Sequence, residues 1–215
     1  TGTYDYISYV ILGSIIVNFS TRLFMEMGFS IRHESWRGTF ETVFSVPLSR
    51  FTFMSGKLFG GIAYSSLFAI TLLLLSWVMF QKTYYFNRVP EAILIFILVI
   101  TSIYGIGLIV AGIMLVFKEA HSTLWFLDMI IVLITPMAYP LAVLPPVLQK
   151  VSLLLPMTRA TIAIRNLLLL DQPLISQWDH ILVLSLYTVF FIPVGWRTYR
   201  LMERRALKKG VVGHY

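Results

Sequence analysis

The chain has 215 residues, of which 58% are hydrophobic and 13% charged, with a net charge of +7 and no cysteine. Soluble domains carry roughly 25% charged residues, so the composition excludes a soluble globular protein. The lack of cysteine excludes a disulfide framework and thiol chemistry.

In chain order, the first apolar run is Tyr6–Thr21, extendable to about Phe24. A membrane span needs roughly 20 apolar residues, so a span is predicted over 6–24. Residues 31–50, IRHESWRGTFETVFSVPLSR, come next and are of a different kind. Trp36, Phe40, Val43 and Phe44 recur at i, i+4, i+7 and i+8, which makes one apolar helical stripe. Arg37, Glu41, Thr42 and Ser45 fall on other faces. Pro47 removes a backbone donor and ends the helix at about Val46. The spacing therefore predicts an amphipathic helix over 31–46. Two readings fit it: a docking surface for a soluble partner, or an interfacial helix resting on headgroups.

Leu58–Phe80 and Ala92–Phe117 contain no charge, and each predicts a span, over 58–80 and 92–117. A further span is predicted over 120–141, broken only by Asp128. Residues 142–178 are apolar but carry Lys150, Arg159 and Arg165 and are interrupted by Pro156. They predict two short helices that dip into the membrane or lid the bundle. Ile181–Trp196 predicts the last span, over 181–199, with Arg197 snorkelling, and 200–215 is a basic tail. A β-barrel would show alternating segments of about ten residues in place of these runs. The expected fold is an all-α polytopic bundle of five spans, a single membrane domain over 1–215.

The 17 Lys and Arg residues are unevenly placed. Arg22, Arg32, Arg37, Arg50, Lys57, Lys118, Arg197, Arg200, Arg204, Arg205, Lys208 and Lys209 fall on one side of the spans. Lys82, Arg88, Lys150, Arg159 and Arg165 fall on the other. The positive-inside rule assigns the first side to the cytoplasm, so a multi-pass inner-membrane protein with a cytoplasmic C-terminus is expected. The basic tail suits anionic lipid rather than nucleic acid. Five spans then leave Thr1 outside. The expectation is that one more span precedes it, giving six with both ends inside; a cleaved signal sequence is the alternative.

Single residues stand out. Asp128 lies about eight residues into its span, roughly 12 Å deep. An intramembrane carboxylate is a functional candidate, for a cationic substrate or a proton, unless a structural partner holds it. Pro136 and Pro140 free backbone carbonyls near the end of that span and suit a gate or a tolerated kink. Phe19, Phe24 and Trp125, with Tyr9, are candidates for lining a path, or are ordinary fillers. The four histidines show no metal-ligand spacing, so no metal site is expected. Gly60, Gly61, Gly105, Gly107 and Gly112 permit close helix approach.

GTFETVFSVPLSR at 38–50, followed by Gly56-Lys57-Leu58, resembles the ABC type-2 permeases, membrane subunits of the type V exporter fold. Asp5-Tyr6 with Gly13 resembles the start of that family's second span, although Leu12 stands where a proline is usual. Pro136 and Pro140, Leu144-Pro145, and Pro156-Met157-Thr158 with Arg165 resemble its fifth span and re-entrant outer helices. The resemblance implies that the absent span is the first of six. It implies a second permease chain, as a homodimer or a similar heteromer, and two ABC ATPase subunits that carry ATP and Mg. It makes 31–46 a coupling helix, with Trp36, Phe40, Val43 and Phe44 filling a groove on the ATPase and Arg32, Glu34, Arg37 and Glu41 at its rim. Pro145, Pro156, Arg159 and Arg165 then belong to the outer re-entrant segment. No GxxxxGK[ST] loop is present, so this chain is not expected to hydrolyse ATP alone. The expected activity is export of small hydrophobic or amphipathic molecules, with polysaccharide or lipid-linked oligosaccharide as the alternative cargo. A secondary transporter would need internal repeats, and none are visible.

Overall fold

The computed structural model describes residues 6–30, 49–81, 84–116 and 121–208, and all regular structure among them is helical. The helix expected over 31–46 lies outside these residues, as do Lys118 and the tail beyond 208.

Among the described residues seven α-helices follow in order: α1 (Tyr6–Gly28), α2 (Arg50–Phe80), α3 (Val89–Val116), α4 (His121–Ile134), α5 (Pro146–Leu153), α6 (Pro156–Leu170) and α7 (Trp178–Lys208). Their ends follow from local chemistry. Ser49 caps α2: its hydroxyl accepts from the Thr52 N–H at 3.0 Å, satisfying one of the donors a helix start leaves free. Gln81 ends α2 in the left-handed region at φ 50°, where its N–H closes on Ser76 and Trp77 carbonyls. Pro90 and Glu91 open α3. A proline loses nothing in a first turn, and a carboxylate there complements the helix dipole. Pro146 and Pro156 open α5 and α6 in the same way.

Among the described residues, α1, α2, α3 and α7 are long and apolar enough to cross a membrane. The α5–α6 pair, bent by 90°, supplies the two short helices anticipated over 142–178, with the geometry of a broken span or a re-entrant loop. The span expected over 120–141 is shorter. α4 has 14 residues, about 21 Å against a hydrocarbon core of about 30 Å. Pro136 lacks an N–H and pushes Thr135 out of the helical region. The Thr135 hydroxyl then folds back on the Ile131 carbonyl at 2.6 Å.

α3 is the hub, packed against α1, α6 and α7. Ile95, Val99 and Ile103 meet Ile16, Phe19 and Leu23 of α1, Ala160, Ala163 and Leu167 of α6, and Leu184 of α7 in one buried core. The α3–α7 seam is the tightest. A β-carbon on Gly105 would lie 2.6 Å from the Phe191 carbonyl carbon, and one on Gly112 would lie 3.0 Å from the Tyr199 Cα. Small residues let the two backbones meet, and hydroxyls stitch the seam. The Ser102 hydroxyl lies 2.7 Å from the Leu98 carbonyl oxygen and 3.1 Å from that of Leu184. Gly107 faces Met27 and Gly61 faces Leu23, both on α1, whereas Gly60 has open space around it. α2 packs mainly on α1, touches α3 and α7 near its start through Met54 and Phe51, and leaves Tyr64, Leu67 and Trp77 exposed.

Candidate functional site: the broken end of α4

The carbonyls released where α4 stops converge on one side chain. Arg165, on α6, is only 4% exposed. Its Nη1 donates to the Pro136 carbonyl at 2.7 Å. Its Nη2 donates to the Met137 carbonyl at 2.5 Å and the Tyr9 carbonyl at 2.8 Å. Its Nε donates to the same Tyr9 oxygen at 3.1 Å. The guanidinium carbon also sits 3.5 Å from the centre of the Tyr9 ring, a cation–π contact. A buried guanidinium away from a carboxylate is costly unless its donors are used. Here three carbonyls and an aromatic face take that role.

Gly13 makes room for it. A β-carbon at this position would overlap both Arg165 Nη2 and the Met137 carbonyl oxygen. Tyr9 adds a second link, its hydroxyl donating to the Tyr139 carbonyl at 3.2 Å. Tyr139 in turn donates to the Leu133 carbonyl. The 135–140 stretch is thus held to α1 and α6 through its own backbone oxygens, the groups that a broken helix must satisfy inside a membrane.

The other sequence-predicted residues are placed differently. Phe19 and Phe24 are buried in the core, and Phe19 meets Phe96 edge-on at 4.6 Å. Trp125 is exposed and tilts against Phe29 at 6.4 Å. These three aromatics do not converge on one lumen within this chain. Asp128 is half-buried on the side of α4 that also carries the buried Leu124. Its Oδ1 is buried and has no hydrogen-bond partner among the described residues. Pro140 is exposed and precedes the 3-10 turn Leu141–Val143. Pro145 caps α5, and Pro156 is buried at the start of α6. Arg159 braces the α5–α6 bend by donating to the Leu153 carbonyl at 2.9 Å, and it reaches Asp179 of α7 at 3.5 Å. The residues named for coupling, Arg32, Glu34, Trp36, Arg37, Phe40, Glu41, Val43 and Phe44, lie outside the described residues. The partners of Arg165 were not legible in advance: they are backbone groups 28, 29 and 156 positions away. Gly13 was the one signal within reach.

A second polar tie fixes the far end of α6 to the α2–α3 hairpin. Asp171 ends α6 at φ 52°. Its Oδ1 accepts from Arg88 Nε at 2.7 Å, while Arg88 Nη1 donates to Glu91 at 3.0 Å. The hydrogen bond from Arg88 comes first among the causes holding the Asp171 carboxyl below its usual range. A depressed folded-state value means the tie is fully present above the ordinary aspartate pKa of about 3.9 and is lost as pH falls through the lower, folded value. Protection of the Asn87 and Arg88 amides, their exchange relative to an unstructured chain at the same pH, is therefore expected to hold from neutral pH down to about 4 and to fall only below it. Asp171→Asn, which keeps the left-handed backbone, should remove that acid step and leave protection low throughout.

A family model described as ABC-2 type transporter matches residues 2–169, which takes in α1 to all but the last residue of α6. No curated protein matches the chain. The matched stretch contains Tyr9, Gly13, Pro136 and Arg165, and so the whole junction at the end of α4. By that match, and by its apolar helices, the chain belongs to the ABC-2 type transporter family, as a multi-pass membrane component of an ABC transporter.

Proposed function

We propose that this chain is the permease subunit of an ATP-driven exporter that moves small hydrophobic or amphipathic molecules out of the cytoplasm. Two copies, or this chain and a similar one, enclose the path, and two ATPase subunits dock from the cytoplasm on the helix over 31–46. The family match carries the reading. The charge asymmetry supports a cytoplasmic C-terminus in the inner membrane. The apolar character of the core supports the cargo class: among the described side chains of α4, the polar groups on the side of Leu124 reduce to one half-buried carboxylate, Asp128.

Motion then enters through α1 and α2, the helices that flank 31–46. α1 carries Tyr9 and Gly13 at its other end, against Arg165 and the 135–140 stretch. A tilt of α1 is thereby felt at the broken end of α4, where Pro136 and Pro140 sit. The test is co-purification of the chain with its ATPase, with Trp36→Asp and Phe40→Asp introduced together. Loss of the ATPase from the purified complex, with the unfolding temperature of the permease unchanged, is the expected outcome. An ATPase that stays bound through both substitutions contradicts the assignment of 31–46.

A further inference from the structure

α2 and α3 are joined by a short hairpin and meet at the opposite end, where Met54 packs with Tyr104 and Ala111, but near the hairpin they stand apart. Each leans on α1 instead, and the wedge between them is a cavity of about 550 Å³. Leu12, Ile15 and Ile16 of α1 form its floor, and all three are buried. Ile70, Leu74 and Trp77 of α2 and Ile93 of α3 stand at its sides, each more than half exposed, so the wedge opens sideways. Its wall is apolar except at the hairpin end, where the Tyr84 hydroxyl pairs with Ser76 Oγ at 2.9 Å.

We propose that this wedge is a binding site for one acyl chain of a membrane phospholipid in the leaflet on the hairpin side. Four arguments identify the occupant. The side opening lies between two membrane-spanning helices, so it faces hydrocarbon and not water. The apolar wall offers water no partners, and such a cavity stays dry and takes apolar ligands. The wedge is elongated, about 10 Å from Ile70 to Trp77 at 1.5 Å per helical residue, which suits an extended chain. Its polar end is placed for a lipid, with the Tyr84–Ser76 pair, Trp77 and the exposed Tyr85 at interface depth. The headgroup would lie at that pair and the chain would run down toward Ile16 and Phe96.

The site is tested by photolabelling. The intact transporter is reconstituted in phosphatidylcholine vesicles doped with phosphatidylcholine that carries a diazirine along one acyl chain, and labelled residues are mapped by mass spectrometry. Label is expected on the α1 floor at Leu12 to Ile16, together with bulk label on Val189 and Phe190, exposed residues of α7. Ala92→Phe fills the wedge, and Ile93→Trp narrows its mouth from an exposed position. Each is expected to cut floor label at least about five-fold while the α7 label is unchanged. Floor residues unlabelled in wild type, or floor label that survives both substitutions, would each overturn the proposal.

Discussion

Arg165→Met is expected to lower the unfolding temperature of the purified protein by about 6–20 °C. The change removes four donor contacts and leaves the Pro136 and Met137 carbonyls inside the membrane without their partner. Hydrogen bonds to charged groups contribute about 1.5–3 kcal/mol each, and buried groups stripped of a partner cost a similar amount. The contacts share one side chain and are not additive, so about 3–5 kcal/mol is the expected loss. In a domain of this size each kcal/mol corresponds to about 2–4 °C. Arg165→Lys should recover only part of it, because an ammonium has three donors and no planar fork to lie on the Tyr9 ring. Gly13→Ala should act through the same contacts, since its β-carbon takes the place of Arg165 Nη2 and the Met137 oxygen. The double variant should therefore be hardly worse than either single one. Independent, summed losses would show that Gly13 is not there for the guanidinium.

Gly195→Val is the second large effect. A β-carbon on Gly195 would overlap the Gly105 carbonyl oxygen and lie 3.0 Å from the Leu108 Cβ. The atom in the way is backbone, so no rotamer change relieves it and α3 and α7 must separate. Overpacking costs about 1–3 kcal/mol where neighbours can shift, and a backbone obstacle belongs at or above the top of that range. The seam also carries the Ser102 and Thr188 hydroxyl contacts, which open with it. Monodisperse protein in size-exclusion chromatography is expected to fall several-fold. Gly60→Ala is the matched control: nothing lies near its β-carbon, and alanine is favoured over glycine in a helix interior. A Gly195 variant as well behaved as that control would place α3 and α7 further apart than described.

The spans were legible because a bilayer demands long uncharged runs, and Leu58–Phe80 and Ala92–Phe117 have no other use. The two short helices of the 142–178 segment were legible because Pro156 interrupts the run and opens the second of them. The early stop of α4 was not, since Pro136 marks a kink or an end equally well in sequence. What decides between them is whether something takes up the freed carbonyls, and that something is Arg165, from a helix built later in the chain. As a sequence feature Arg165 reads as a charge that interrupts an apolar segment, whereas in the fold it is a buried side chain, 4% exposed. Gly13 marked the place without naming its reason. Aromatic residues misled in the other direction: Phe19 and Phe24 suit a path by type, yet their side chains are spent on packing.

Under the proposed function, ATP hydrolysis on a separate subunit drives this chain through residues 31–46. The most direct measurement is ATP hydrolysis and cargo efflux in the same proteoliposomes, for wild type and for Trp36→Asp with Phe40→Asp. The account predicts cargo efflux that requires ATP in wild type and disappears in the double variant, with the permease still folded. Efflux that proceeds without ATP, or that continues unchanged in the double variant, would contradict it.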